Sequence, residues 1–160
     1  MTPAAWGWQW AGVEGALLVS QAVAAQWARY RQSPGAVECG GQLFVNLTRP
    51  DGVWLALATS PHPADRAGPT WLMLDAARCQ VETAQANAQG LRLVGYWHTH
   101  PEAIPALSLA DKQQFSVFAA RSQAVLPAPL AVIVGQSHSP QGIRAWRYAD
   151  GRYEQASWCA

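Results

Sequence analysis

His98-Thr99-His100 closes a run of β formers, and Ser108 and Asp111 open the helix that comes next. This arrangement limits how the chain can fold more than any other feature. Residues 91–100 (LRLVGYWHTH) alternate in the manner of a central strand. Side chains at i and i+2 of a strand leave the same face, so both imidazoles stand side by side at its C-terminal end. Pro101 and Pro105 make residues 101–107 an extended loop. Ser108-Leu109-Ala110-Asp111 then reads as a helix capping box, with Ser108 as N-cap and Asp111 at the third helical position. A capped helix start aims both side chains at one region, so a strand end and a helix start must face each other. His98, His100 and Asp111 offer three N/O ligands to a divalent metal and leave a fourth position open, which is the pattern of catalytic rather than structural zinc. The plainer alternative is two satisfied polar histidines beside an ordinary cap.

Hydrolysis at such a metal needs a base to take a proton from water and pass it to the leaving amine. Glu38, in Val37-Glu38-Cys39-Gly40-Gly41-Gln42-Leu43-Phe44, is the candidate. The paired glycines let the backbone pass close to another element. Taken alone, Glu38 also reads as a solvated glutamate at a strand entry. Glu102 is a rival base, expected to point along the loop, away from the metal and toward substrate or solvent. Cys39 reads as a small packing residue, and His62 and His138 as surface residues in Pro/Ser-rich loops.

The remaining pattern predicts one α/β (α+β) domain with a mixed central sheet flanked by about three helices. Residues 1–12 read as an arm or short edge strand, with Trp6, Trp8 and Trp10 meeting a partner or capping an edge of the fold. Residues 15–31 have a helical apolar stripe. Residues 42–59 form a hairpin about Arg49-Pro50-Asp51-Gly52, and residues 60–69 a proline-rich loop. A short strand at 70–74 and a helix at 75–89, stopped by Gly90, come next. Beyond the third helix (108–121), strands are expected at 130–134, 143–148 and 152–158. With 13% charged residues, a net charge of +1 and no basic cluster, nucleic acid is not an expected partner. No apolar run is long enough to span a membrane, and no secretory signal is legible, so the expected location is cytoplasmic. Three widely spaced cysteines fit reduced thiols.

Glu38-x-Gly40-Gly41-x-Leu43 followed by His98-x-His100-Pro101, then Ser108 and Asp111, resembles the JAMM signature of the JAB/MPN-plus metalloproteases. These are zinc isopeptidases that remove ubiquitin or ubiquitin-like proteins. The resemblance covers roughly residues 15–148. It implies a single MPN/JAB-like, cytidine-deaminase-like domain over residues 15–160 behind an arm at 1–14. It implies one Zn2+ per chain on His98, His100 and Asp111, Glu38 as general base, and Ser108 in support of the oxyanion. Val45 stands where the family often has glycine, and the chain is too short for the long insertions of the eukaryotic deubiquitinases. The chain is more similar to stand-alone bacterial JAB peptidases encoded with E1-like and E2-like proteins in antiphage operons, some of which carry a cGAS-like nucleotidyltransferase. The implied activity is cleavage after the C-terminal glycine of a ubiquitin-like protein or its conjugates. Processing of a sulfur-carrier protein and a catalytically silent MPN scaffold are the alternatives. A zinc deaminase does not fit, because the chain lacks Pro-Cys-x-x-Cys.

Overall fold

The computed structural model describes residues 2–122 and 128–160. In chain order its elements are β1 (Trp6–Gln9), β2 (Leu17–Val19), α1 (Gln21–Arg29), β3 (Gly40–Asn46), β4 (Val53–Ala58), β5 (Arg66–Gly68), β6 (Trp71–Met73), α2 (Ala76–Ala88), β7 (Leu91–Thr99), α3 (Leu109–Ser122), β8 (Leu130–Val134), β9 (Ile143–Ala149), β10 (Arg152–Gln155) and β11 (Ser157–Cys159). Three helices lie against one large mixed sheet, the α+β class that the sequence predicts. No described helix is long and apolar enough to cross a membrane.

The sheet order is β10-β9-β8-β7-β3-β4-β2-β1-β11, with β5 and β6 forming a separate two-stranded sheet. The β7–β8 and β2–β4 pairs are parallel and the other pairs antiparallel. Only Ala156 separates β10 from β11, although they hold opposite ends of the order. Two Cα steps reach about 7 Å at most, so the sheet must curl until its ends meet. The Trp10 indole, just beyond β1, donates to the Glu154 carbonyl of β10 at 2.8 Å and helps to close that seam. α1 fills the hollow of the curl: Val23 and Trp27 join Leu43, Leu55, Trp97 and Val132 in the core. α2 and α3 cover the outer face, where Gln42 donates to the Cys79 carbonyl at 3.0 Å and the Tyr96 and Phe118 rings meet at 4.5 Å.

Four sequence expectations change. Residues 15–31 are not one helix, since Leu17–Val19 is a strand and Ser20 caps α1 through a 3.2 Å bond from Val23 N–H. A short apolar strand between two neighbours, β4 and β1, has no clear alternation, so its run merges with the helical stripe that follows it. The opening residues are neither an arm nor an edge, because β1 lies between β2 and β11. Trp8 is buried there against Trp27, with Trp6 and Trp10 packed on the same core, rather than turned to a partner. The loop at 60–69 contains β5, and the last predicted strand is two strands at opposite ends of the sheet.

The glycine pair behaves as its composition implies. A Cβ on Gly40 would lie 2.1 Å from the Trp97 carbonyl, and one on Gly41 would lie 2.2 Å from that of Thr59. These contacts are with backbone, which cannot swing aside. Gly40→Ala is therefore expected to lose about 1–3 kcal/mol, read as a lower urea midpoint at unchanged slope. A midpoint equal to that of the wild type would show that β3 and β7 have room to part.

Candidate metal centre

Alternation along β7 sorts its last residues onto two faces. Tyr96, His98 and His100 face α3, while Trp97 and Thr99 face inward. Thr99 lies between the histidines and grips the strand beside them. Its N–H donates to the Cys39 carbonyl at 2.9 Å, and its hydroxyl accepts from Cys39 N–H at 3.0 Å. The same hydroxyl donates to Gln32 Oε1 at 3.2 Å. Gln32, itself buried, donates to the carbonyls of Ala36 and Pro69 at 2.8 and 3.0 Å. Glu38 N–H donates to the Gly68 carbonyl of β5 at 2.8 Å. These bonds clamp the Glu38 segment between the end of β7 and the small two-stranded sheet.

The α3 start forms the reciprocal box that its sequence suggests. Asp111 N–H donates to Ser108 Oγ at 3.0 Å, and Ser108 N–H donates to Asp111 Oδ2 at 2.9 Å. The Asp111 carboxylate also reaches both histidines, with Oδ1 3.2 Å from His98 Nε2 and Oδ2 3.1 Å from His100 Nε2. The two Nε2 atoms are 3.1 Å apart. Tyr153 of β10 donates to the Lys112 carbonyl at 2.7 Å and holds the first turn of α3 in place. Glu38 is buried, with Oε2 4.0 Å from His100 Nε2, and ligand atoms of Glu38, His98 and His100 all lie within 4.8 Å of one another. The structure thus brings Glu38, His98, His100 and Asp111 together, with Ser108 at the rim.

This donor set fits a small divalent cation. Tetrahedral bonds of about 2.0–2.1 Å set ligand atoms about 3.3 Å apart, close to the spacings found here. Two imidazole nitrogens and two carboxylates converging in a half-buried site need a positive charge between them, either protons or a metal. The charges of the site shift its groups in different directions. Burial pushes the Glu38 carboxyl above its ordinary value, and the neighbouring His98 and His100 pull it part of the way back. Burial also opposes charge on Asp111 and His100, but their mutual hydrogen bond, added to the other bonds and charges around them, outweighs it. Asp111, also bonded to His98, is held well below the usual carboxylate range, and His100, also bonded to Glu102, is raised to about 9.

Glu102 does not point away from the centre, as its place after Pro101 suggests. It turns back, with Oε1 2.9 Å from His100 Nδ1. Glu38, His100, Glu102 and Ser108 line a 290 Å³ pocket with Thr70, Pro101, Ala106 and Leu107. Its 101–107 wall is fastened to the segment after β8, by Gln136 N–H to the Glu102 carbonyl at 2.8 Å and Ser137 N–H to that of Ala103 at 3.1 Å. Ser108 Oγ accepts from the cap, and its hydroxyl proton can still be donated. Thr99 and Gln32 were not singled out from the sequence. Thr99 could have been, because a residue between two strand histidines must face the other way. Gln32 carries no such signal.

The family model described as prokaryotic homologs of the JAB domain matches residues 20–149. Among solved structures, the chain is similar to a Desulfitobacterium hafniense protein at 18% identity and a TM-score of 0.59, over 86% of this chain and 87% of that one, which shows a shared fold. It is also similar to a Salinibacter ruber protein at 24% identity and a TM-score of 0.46, over 86% and 85%. No curated protein matches the sequence.

Proposed function

We propose a function from one premise: this chain belongs to the prokaryotic homologs of the JAB domain. It is a zinc-dependent peptidase or isopeptidase that cuts after the C-terminal glycine of a ubiquitin-like protein or its conjugates. The observation that supports this reading is the convergence of His98, His100 and Asp111 at spacings of 3.1–3.2 Å, with buried Glu38 beside them. His98, His100 and Asp111 hold the metal. Zn2+ bound there supplies a Lewis acid that acidifies water and polarises a carbonyl.

The chain's own groups do the rest. Glu38 takes a proton at its carboxylate from the attacking water and returns it to the leaving amine. The Ser108 hydroxyl donates to the oxyanion that forms at the scissile carbonyl. A tail arrives extended, between the 101–107 loop and the β5–β6 segment, where main-chain pairing and glycine's lack of a side chain favour it. A silent scaffold has no need of this complete donor set. A sulfur-carrier protein would meet the same chemistry and is the second substrate to test. Within a bacterial antiphage conjugation system in the cytoplasm, the partners would be E1-like and E2-like proteins or a cGAS-like nucleotidyltransferase.

Incubation of the zinc-loaded protein with C-terminal fusions of ubiquitin-like and sulfur-carrier proteins tests the reading. One cut after the terminal glycine is expected, abolished by a chelator and restored by added zinc. A protein that carries a full equivalent of zinc and leaves every fusion intact would overturn the peptidase assignment.

A further inference from the structure

One carboxylate oxygen beside the metal centre makes two contacts that the reaction does not use directly. Glu102 Oε1 lies 2.9 Å from His100 Nδ1 and accepts from Ala106 N–H, also at 2.9 Å. Ala106 lines the pocket, and His100 is one of the histidines facing Asp111. We propose that Glu102 is a positioning residue: it fixes the His100 ring with the Nε2 lone pair toward the metal position and couples that orientation to the shape of the pocket wall. This inference rests on the metal-centre reading above.

A neutral imidazole carries one N–H and one lone pair. An acceptor fixed at Nδ1 favours the Nδ1–H form and leaves Nε2 to bind a cation. Pro101 restricts the link between the two residues to a short range of shapes, so a side chain two positions on can fold back over the ring. The Glu102 side chain is 46% exposed against 8% for His100. Its charge is therefore largely screened by water, and its contribution is geometric. The backbone agrees, since the Glu102 carbonyl is itself tied to Gln136 N–H at 2.8 Å. The carboxylate thus hangs from a fixed point rather than a free loop.

The test compares Glu102→Ala with Glu102→Gln, whose amide oxygen can accept the same two bonds without the charge. Zinc affinity is measured by competition with a chromophoric chelator, with no substrate present. Glu102→Ala is expected to weaken it about 10–100-fold, and Glu102→Gln to recover most of that loss. In the zinc-loaded protein, the His100 ring nitrogens and their proton are followed by long-range 1H–15N correlation. The wild type and Glu102→Gln should show an Nδ1–H protected from exchange with water, and Glu102→Ala one that exchanges faster. An unchanged zinc affinity in Glu102→Ala, or a loss of affinity with the Nδ1–H exchange unchanged, overturns the proposal. A wild type that takes up zinc and cleaves no fusion defeats the peptidase reading alone, while the comparison of the Glu102 variants still decides the role of Glu102.

Discussion

Glu38→Gln is expected to leave zinc bound and to cut turnover by about 10²–10⁴-fold, the usual contribution of a positioned general base. The substitution keeps volume and a carbonyl oxygen but removes the atom that accepts a proton. The fold has little reason to change. The segment is held by main-chain bonds, Glu38 N–H to Gly68 and Thr99 N–H to Cys39, which do not involve this side chain. His98→Ala gives the opposite pattern, with zinc and turnover lost together, because it removes one of three donors about 3 Å apart. Zinc content by elemental analysis, set beside cleavage rate, separates the two roles. The comparison is sharp because Glu38, His98 and His100 themselves form a group able to hold a metal. If Glu38→Gln emptied the site while Asp111→Asn kept it filled, Glu38 would be the ligand and Asp111 the group left to handle protons. Wild-type turnover in Glu38→Gln would remove it from the reaction altogether.

What could be read from the sequence follows the range of the interactions involved. The two histidines and the Ser108–Asp111 box are local patterns, set by a period of two and by a helix start, and a few residues suffice to specify them. Gly40-Gly41 was legible for a similar reason, since two adjacent glycines in a strand advertise a close approach even before the neighbours are known. Leu17–Val19 was misread because its strand character comes from β4, which follows a whole helix and another strand. The curl that joins the two ends of the sheet is written in no local run, and neither is the part played by Gln32. Its amide is ordinary in sequence and acquires a role only when the Thr99 hydroxyl and the Pro69 carbonyl are brought to it. Glu102 is another such case. Nothing within residues 101–107 announces the main-chain bonds to residues 136 and 137 that turn its loop back on the ring.

Arg78→Ala is expected to cost about 3–5 kcal/mol of stability, the usual result of removing one partner from a buried ion pair. Only 3% of the Arg78 side chain and 7% of the Asp65 side chain reach solvent. The guanidinium meets Asp65 as a fork, Nε to Oδ1 at 3.1 Å and Nη2 to Oδ2 at 2.7 Å. Nη2 also donates to the Gly40 carbonyl at 3.0 Å, and Nη1 to Glu82 at 2.9 Å and to the Thr59 hydroxyl at 3.1 Å. One cation therefore joins α2, β3, the end of β4 and the loop leading to β5. Alanine would leave a buried carboxylate facing no charge and would release the start of β3, two residues from Glu38. Lysine should rescue only in part, because a point charge cannot reproduce the fork. The pH dependence gives a second measurement. Burial alone would raise the Asp65 pKa, but the bonds and charge of Arg78, with help from the Asp75 and His62 N–H groups, hold it below its ordinary value. A depressed carboxylate adds stability above its unfolded pKa of about 3.9 and loses it as the pH falls through the folded value. The wild type should therefore lose this contribution in acid, whereas Arg78→Ala lacks it already at neutral pH. The gap between their urea-unfolding free energies is then expected to narrow as the pH falls below about 4. A gap that stayed constant over that range would mean that Arg78 acts by packing rather than by charge.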